Sequence, residues 1–328
     1  MNLVDKLKLK LIFGLCLWFL IFNFSFAEEN DLFLIVSPQT LTSNQEFQIE
    51  AKSFAFNASS AYFEWFENGK LIDSGTGISK KNFSGKKIGA QINIKVNASL
   101  EGKIYSSNFL YTINDAELIV RPLTYTPPFY RGSAFASPGS IVEVYAIPHI
   151  FFGGQKINSS NLIFEWKIDG NPVKEQSGKG KNKFTVELPE NLMGENVVKV
   201  KINSQNGLQT YEKSIKVLTQ KPEIIFYGKN PLLGRTVLAS SAFETQSGKD
   251  FSIVAEPFFF DIRSIVRASI SWIIDGIKIN SGQETNPFLL DLTSQTGTKS
   301  ENNVLFKMGD EKNIFQNGEG KIIINIKN

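Results

Sequence analysis

The chain has 328 residues, of which 42% are hydrophobic and 20% are charged, and its formal net charge is only +3. A charge so close to neutral gives no electrostatic case for a nucleic-acid partner. The single histidine, His149, and the single cysteine, Cys16, exclude Cys–His chemistry and histidine-rich zinc sites.

The first element in chain order is a predicted secretory signal peptide over residues 1–27. Three lysines precede an apolar run at 11–22, and Ser25 and Ala27 are the small residues of a cleavage site. The run is shorter than the roughly 20 residues that cross a bilayer, so cleavage after Ala27 is favoured over an uncleaved anchor. Cleavage would remove Cys16, so the mature chain could form no disulfide bond, and it would leave no membrane span. An extracellular protein of this size without disulfides is typical of bacteria. The sequence therefore predicts a bacterial protein that is secreted or held at the cell surface.

A five-residue motif that begins with tryptophan recurs at 65–69, 166–170 and 272–276. The spacings of 101 and 106 residues are too long for a solenoid repeat and fit whole domains laid end to end. Each tryptophan lies in a stretch of two-residue alternation, and each motif ends in Asn-Gly or Asp-Gly, the strongest short signal of a tight hairpin. The pattern predicts three similar modules, which we number one to three from the N-terminus.

Further predicted strands recur around the tryptophan strands. An alternating strand that ends in alanine precedes each tryptophan, and a later pair of strands closes each module. The alanine-ending strands lie at 47–51, 142–146 and 251–255, the later strands at 92–96 and 197–202, and the closing strands near 109–113, 214–218 and 322–326. This repeated order predicts an all-β chain of three tandem immunoglobulin-like Greek-key β-sandwiches with about seven strands each.

Short polar stretches near 114–117 and 219–223 predict the boundaries between modules. The predicted domains after the signal peptide are residues 28–115, 116–220 and 221–328. Acidic side chains at the first boundary could offer oxygen ligands to calcium between domains. The second boundary has only Glu223, which argues against calcium as a shared feature of the two boundaries.

The chain resembles bacterial immunoglobulin-like modules, including the related polycystic-kidney-disease-type domains, in which a core tryptophan precedes an Asp-Gly or Asn-Gly hairpin. The resemblance covers nearly all of residues 30–328, and its motifs are architectural. It departs from antibody-type domains because strand-bridging cysteines are lacking. The resemblance implies a β-sandwich fold and an exported, surface-associated protein, and it brings no active site.

Modules two and three carry an added segment that module one lacks. It reads Pro-Pro-Phe-Tyr-Arg at 127–131 in module two and Pro-Leu-Leu-Gly-Arg at 231–235 in module three, and an Ala-Phe pair follows in both. One interpretation is an edge segment that bridges onto the preceding module. Proline in such a segment also protects the exposed strand edge from pairing with other chains. The other is a recognition loop, in which Tyr130, Arg131 and Arg235 are binding residues.

Three consecutive phenylalanines, Phe258, Phe259 and Phe260, follow the alanine-ending strand of module three, at the place of 54–56 in module one and 150–152 in module two. Consecutive aromatic side chains cannot all face one side of a strand, so some must meet solvent, another module or a ligand. Packing beneath the loop or against the next module is favoured. The alternative is an exposed contact, which makes these three phenylalanines binding residues.

Catalysis is the function that the sequence supports least. A Gly-x-Ser-x-Gly turn, a glycine-rich phosphate-binding loop and a His-Glu-x-x-His motif are all lacking from the sequence. We therefore predict no enzyme, no catalytic residue, no metal and no cofactor. A glycan hydrolase built on two carboxylates is a distant third hypothesis.

The leading hypothesis is an exported, non-enzymatic protein that acts in cell-surface or extracellular protein–protein interaction, such as adhesion, or as a structural spacer. Its expected partner is an extracellular or envelope protein. The alternative is a carbohydrate-binding protein of the cell envelope, with a glycan as its partner. The three tryptophans beyond the signal peptide argue against that alternative, because they occupy core-type positions.

Overall fold

A computed structural model describes residues 31–190, 195–230, 232–279, 286–294 and 301–327. The predicted signal peptide and its cleavage site lie outside these described residues. The chain divides into two compact units, one that ends at Ile113 and one that begins at Asn114, and each is described by itself. Within the described ranges, the structure has no helix that is both long and apolar enough to cross a bilayer.

The first unit contains module one, a sandwich of two antiparallel sheets. Its strands are β1 (Phe33–Ser37), β2 (Phe47–Lys52), β3 (Tyr62–Glu67), β4 (Lys70–Thr76), β5 (Lys80–Phe83), β6 (Gln91–Leu100) and β7 (Lys103–Thr112). One sheet has the order β1-β2-β5 and the other has the order β4-β3-β6-β7. Alternate residues of β6, from Ile92 to Ala98, are buried between the sheets while their neighbours face outward, as a half-buried strand requires.

Module two, in the second unit, repeats this plan. Its strands are β8 (Asp115–Pro122), β9 (Ile141–His149), β10 (Phe151–Phe152), β11 (Gln155–Lys156), β12 (Leu162–Ile168), β13 (Asn171–Pro172), β14 (Gly178–Lys179), β15 (Lys183–Glu187), β16 (Glu195–Ser204) and β17 (Thr210–Leu218). The two main sheets have the orders β15-β9-β8 and β13-β12-β16-β17, with β14 paired to β12. Short 3₁₀ turns at Ser159–Asn161 and Lys174–Gln176 complete the module.

Module three, also in the second unit, adds two strands and a helix to the same plan. Its elements are β18 (Glu223–Asn230), β19 (Gly234–Ala239), β20 (Ala242–Gln246), β21 (Asp250–Phe258), α1 (Ile262–Arg267), β22 (Ser269–Ile274), β23 (Ile277–Ile279), β24 (Leu289–Thr293), β25 (Glu301–Asp310) and β26 (Asn313–Lys327). The sheets have the orders β19-β18-β21-β24 and β20-β26-β25-β22-β23, and β20 runs parallel to β26.

The predicted hairpins after the tryptophan strands are present in all three modules. Both turn residues have positive φ in each case: +51° and +78° at Asn68-Gly69, +48° and +82° at Asp169-Gly170, and +47° and +84° at Asp275-Gly276. This is the requirement of a type I′ turn, and asparagine, aspartate and glycine meet it at least cost. The side chains of Asp169 and Asp275 also accept hydrogen bonds from the backbone N–H groups of residues 197 and 303.

Each module has its own hydrophobic core around its tryptophan. The exposed fractions of Trp65, Trp166 and Trp272 are 0%, 0% and 1%. Each indole N–H donates to a backbone carbonyl, at 2.8 Å to Ile78, 2.9 Å to Lys181 and 3.0 Å to Pro287. Buried polar groups need such partners, so the same requirement is met in the same way three times. The predicted fold class, tandem immunoglobulin-like β-sandwiches, is confirmed.

Candidate interaction site

The loop of residues 123–140 in module two lies against module three. It follows β8, which carries the chain from one end of its sandwich to the other. Its backbone pairs with the segment after β21: the Tyr125 N–H donates to the Phe260 carbonyl at 2.7 Å, and the Phe259 N–H donates to the Tyr125 carbonyl at 2.7 Å. A bridge between Thr124 and Asp261 continues this antiparallel pairing. The two modules therefore share backbone hydrogen bonds as well as side-chain contacts.

An aromatic cluster, consisting of Phe129, Tyr130, Phe135, Tyr227, Phe258 and Phe259, forms around this pairing. The Tyr130 ring lies edge-on to Phe258 with ring centroids 5.4 Å apart, and Phe135 lies edge-on to Phe259 at 5.2 Å. Phe129 makes the same kind of contact with Tyr227 at 5.4 Å. Edge-to-face pairs of this kind stabilise a contact by about 0.5–1.5 kcal/mol beyond the area that they bury. The cluster therefore holds module two against module three.

The backbone conformation of Phe259 explains how three consecutive aromatic side chains are accommodated. Its φ is +61°, in the left-handed region that bulky residues rarely adopt. The turn sends Phe260 into the core of module three, with no exposed surface, while Phe258 and Phe259 face module two. The hydrogen bond from the Phe259 N–H to Tyr125 helps to hold this conformation, so module two stabilises a turn of module three.

Arg235 acts as a clamp on the aromatic cluster. The central carbon of its guanidinium lies 3.2 Å from the ring centroid of Phe129 and 4.4 Å from that of Tyr227. Cation–π contacts of this type favour arginine, whose planar group stacks on aromatic faces. Arg235 also donates a hydrogen bond to the Thr236 carbonyl at 2.8 Å, which fixes its side chain over the rings.

Burial also shifts the ionisable groups beside the cluster. Burial raises the pKa of Glu256, and the positive charge of Arg235 offsets part of that effect. Burial raises the pKa of Tyr227, with opposing influences from Arg235 and Glu256. The pKa of Tyr125 is likewise raised, first by burial and then by the charge of Glu256. Besides burial, the charge of Glu256 thus raises the pKa of both tyrosines, and the charge of Arg235 lowers the pKa of Glu256 and of Tyr227.

A junction network of buried hydrogen bonds, made by Asp261, Arg263 and Gln316, lies beside the aromatic cluster. Asp261 is only 1% exposed. Its carboxylate accepts from the Ile141 N–H of module two at 3.1 Å, and from the Arg263 N–H and Nε at 2.8 and 2.9 Å. The hydrogen bond to Asp261 is the main cause of a raised pKa at Arg263. The carboxylate thus joins the start of β9 to the start of α1.

Gln316 completes the junction network from β26. It has no exposed surface, and its side-chain oxygen accepts from the Asp261 N–H at 2.7 Å. Its amide group donates to Ser137 Oγ at 2.8 Å and to the Pro138 carbonyl at 2.7 Å, both in module two. A buried amide left without these partners would cost about 1–3 kcal/mol, so the network is specific to one docking geometry.

The structure brings together four of the six residues that the sequence names as binding candidates. Tyr130, Phe258, Phe259 and Arg235 meet in the aromatic cluster, where Phe258 and Phe259 are 3% and 4% exposed. The other two lie apart from it: Phe260 belongs to the core of module three, and Arg131 is exposed. Whether any of the six binds a partner stays a prediction.

The direction of the contacts differs in part from the sequence-based expectation. The added segment of module two was predicted to bridge onto the preceding module, but the contacts described above are with the following one. The added segment follows Tyr125, whose backbone pairs with Phe259 and Phe260 of module three, and this pairing holds the segment against the following module. In module three the expectation is met, since Arg235 contacts Phe129 of the preceding module.

The sequence gives little sign of two residues at this site. Tyr227 occupies an alternating position on β18, a pattern that predicts which face it lies on but not what covers it. Gln316 lies within a polar stretch, and its partners in module two are 178 and 179 residues away along the chain. Contacts of that range have no local signal.

The acidic boundary segment is engaged in hydrogen bonds within module two. Asn114 donates to Gln209 Oε1 and accepts from the Phe151 N–H, both at 2.8 Å. Burial would raise the pKa of Asp115, but hydrogen bonds from Tyr211 and the Ala116 N–H, with the charge of Lys213, lower it overall. Among the described residues, no group of three or more histidine, cysteine, aspartate or glutamate side chains has the arrangement of a metal site. Calcium binding at the boundary stays untested.

Comparison with known proteins gives a fold and no relative in sequence. No protein-family model and no curated protein matches the chain. The three N-terminal domains of the highly immunogenic outer capsid protein of bacteriophage RB49 are 13% identical over 90% of this chain and 98% of that one, with a TM-score of 0.25. Fibronectin(III)-like modules of Clostridium thermocellum CbhA are 12% identical over 57% of this chain and 94% of theirs, with a TM-score of 0.27.

A third similar structure is that of SGBP-B from a mixed-linkage glucan utilization locus of Bacteroides ovatus, in complex with a mixed-linkage heptasaccharide. It is 16% identical over 92% of this chain and 71% of that one, with a TM-score of 0.23. The structures similar to this chain are multi-domain β-sandwich proteins of the immunoglobulin-like and fibronectin-III-like kinds, as the sequence resemblance predicts. At such low identities and TM-scores the likeness concerns the kind of fold alone.

Proposed function

We propose that this protein is exported, has no enzymatic activity, and presents protein-binding surfaces on immunoglobulin-like modules, of which modules two and three are rigidly joined, at the cell surface or outside the cell. The observation that carries the proposal is the junction between modules two and three. A flexible string of modules would need only a linker there, whereas this junction is held by paired backbone, an aromatic cluster and a buried polar network. Such rigidity suits a spacer or a platform for partners.

The tryptophans give no support to the carbohydrate-binding alternative. Trp65, Trp166 and Trp272 are buried, and their indole N–H groups are already bonded to backbone carbonyls. Sugar stacking needs an exposed aromatic face, so these three side chains cannot supply it in this fold. An envelope or extracellular protein is therefore the favoured partner.

Capture from cell-envelope fractions tests the proposed partner class. Purified residues 28–328 would be immobilised and exposed to untreated, protease-treated and glycan-depleted envelope, with the exposed-residue variant Lys167→Ala as a matched control. The proposal predicts capture that protease abolishes. Capture that survives protease and is lost with the glycan would contradict it and favour a carbohydrate-binding protein.

N-terminal sequencing of the protein isolated from its native cells tests export. Cleavage after Ala27 predicts a chain that begins at Glu28 and is recovered outside the cytoplasm. A chain that keeps residues 1–27 and remains in the cytoplasm would contradict the proposal.

A further inference from the structure

Modules one and three can be matched position by position along their first strands. Leu34 of β1 lies opposite Ala51, just as Phe226 of β18 lies opposite Ala255. Both alanines are the last residues of the alternating pattern that recurs before the aromatic segment. The two sheets therefore have the same register, and residues one place before and after Leu34 and Phe226 face away from the core in both modules.

The outward-facing positions are apolar in both modules. In module three they are Ile225 and Tyr227, which pack against Phe258, Phe259 and Tyr130 in the cluster that module two covers. In module one they are Phe33, which is half-buried, and Ile35, which is 41% exposed.

The aromatic residue after the alanine-ending strand shows the contrast between the two modules. Phe258 follows Ala255 by three residues and is 3% exposed, because Tyr130 of module two covers it. Phe54 follows Ala51 by the same three residues and is 97% exposed, with its ring centroid 5.2 Å from that of Phe33. Module one therefore displays, uncovered, the apolar face that module three uses to hold another module.

The corresponding face of module two is mixed in character. Leu118 lies opposite Ala146, so the positions that match Phe33 and Ile35 carry Glu117 and Ile119, and Ile119 is 49% exposed. His149 follows Ala146 by three residues, the spacing of Phe54 and Phe258 from their alanines. Glu117 Oε1 and His149 Nε2 are 3.3 Å apart. An aromatic side chain three residues after the alanine is thus shared by modules one and three, whereas module two has a histidine there and only one of its two outward-facing positions is apolar.

Module three also carries exposed apolar side chains on a hairpin that could pack against a face of this kind. Residues 232–235 of its added segment, the counterpart of the segment by which module two covers module three, lie in the β18–β19 hairpin, and of these Arg235 contacts the aromatic cluster. Four apolar side chains of this hairpin project into solvent: Leu232 is 94% exposed, Leu233 85%, Val237 89% and Leu238 80%. The four consecutive residues 236–239 of β19 are all exposed, so both faces of this part of the strand are open. Exposed apolar groups on this scale mark interaction sites.

We propose that the β18–β19 hairpin of one copy of this chain docks on the Phe33–Ile35–Phe54 face of module one in a second copy. The two halves are the internal-repeat counterparts of the segment and the face that meet within a single chain between modules two and three. A contact of this kind is heterologous, because it joins two different surfaces. A pair of copies therefore keeps one unused hairpin and one unused module-one face, and further copies can add head to tail. This assembly is one form of the interaction role proposed above and rests on it.

Sedimentation of purified residues 28–328 over a range of concentrations tests the contact. The weight-average mass is expected to rise above that of the monomer as concentration increases, because only associating copies respond to concentration in this way. Phe54→Ser alone, and Leu232→Ser with Leu233→Ser, should each weaken association by at least about tenfold, as for residues central to an interface. All three side chains are exposed, so the variants should keep the near-ultraviolet circular dichroism of the parent.

Ile104→Ser is the matched control, because Ile104 is 72% exposed on β7 of module one and lies outside the proposed face. It should associate like the parent. A mixture of the Phe54 variant with the Leu232/Leu233 variant should form a 1:1 pair and nothing larger. In that mixture the first protein keeps an intact hairpin and the second keeps an intact face, so a single contact is possible.

A parent protein that stays monomeric at all concentrations would overturn the inference, as would association that survives both sets of substitutions or a mixture that forms no pair. Binding of the monomeric parent to phosphatidylcholine vesicles, lost on substitution of Leu232 and Leu233, would assign the hairpin to a lipid surface instead. Self-association can fail while protease-sensitive capture of an envelope protein succeeds, so this inference and the proposed function are separable.

Discussion

At the scale of single residues, the modules depend on a few side chains that satisfy packing and hydrogen bonding together. Trp166 is the clearest example in module two. Its indole stacks on Phe184 with centroids 5.3 Å apart, and its N–H donates to Lys181. Turn residues such as Asp169 add a local requirement for positive φ, which the Asp-Gly pair meets at low cost. These requirements are local, and for that reason they can be predicted from sequence.

Replacing Trp166 with alanine is expected to lower the free energy of unfolding of the second unit by about 3–5 kcal/mol, because a large buried side chain is removed and a cavity remains. Chemical denaturation monitored by circular dichroism measures this change. Lys167→Ala, at the neighbouring exposed position, should change stability by less than about 0.5 kcal/mol. Equal effects of the two substitutions would place Trp166 at the surface.

Replacing Glu256 with glutamine is expected to stabilise the protein at neutral pH. Burial raises the pKa of Glu256 in the folded state, so ionisation of this carboxyl opposes folding, and the penalty disappears as the pH falls below the unfolded pKa of about 4.3. The stability difference between variant and parent should therefore be larger at pH 7 than at pH 4. Denaturation curves at both pH values provide the measurement, and a pH-independent difference would contradict the assignment.

At the scale of elements, strands and tight hairpins follow from local patterns, while the junction does not. The alternation around the tryptophans and the three Gly-containing turns place β3, β12 and β22 correctly. The hairpin β18–β19 is missed, because its exposed leucines and valine break the alternation that marks a half-buried strand. The contacts of Gln316 and the direction of residues 123–140 depend on the packing of whole modules, and sequence patterns of a few residues do not encode them.

Replacing Asp261 with alanine is expected to loosen the junction and to lower the free energy of unfolding of the second unit. The change leaves buried donors without an acceptor, at about 1–3 kcal/mol for such a group. Hydrogen exchange at the amides of Ile141 and Phe259 should become faster. Glu187→Ala is the control, because it removes only an exposed partner of Arg263, and it should cost less than about 1 kcal/mol.

If the Asp261→Ala protein kept the exchange rates and stability of the parent, the junction network would have no part in holding the modules together. The aromatic cluster and the paired backbone would then be sufficient for docking.

At the scale of the whole molecule, repetition of one sandwich plan gives three separate cores, but the modules are not equivalent in their surroundings. The differences arise in the added segments and in the outward faces of the first strands. Asn114–Asn328 forms one compact unit because module two supplies an aromatic segment and module three supplies an apolar face to receive it. The sequence predicts the presence of the added segments, whereas their partners become clear only in three dimensions.

The most direct test of the account is a distance distribution between modules two and three in the intact chain. Residues 28–328 contain no cysteine, so spin labels can be placed at Ser214→Cys and Lys321→Cys, two exposed strand positions, and measured by pulsed electron paramagnetic resonance. A rigid junction predicts a single narrow distribution, which broadens when Asp261→Ala is added. A broad distribution in the parent protein would show modules that move independently and would contradict the central claim.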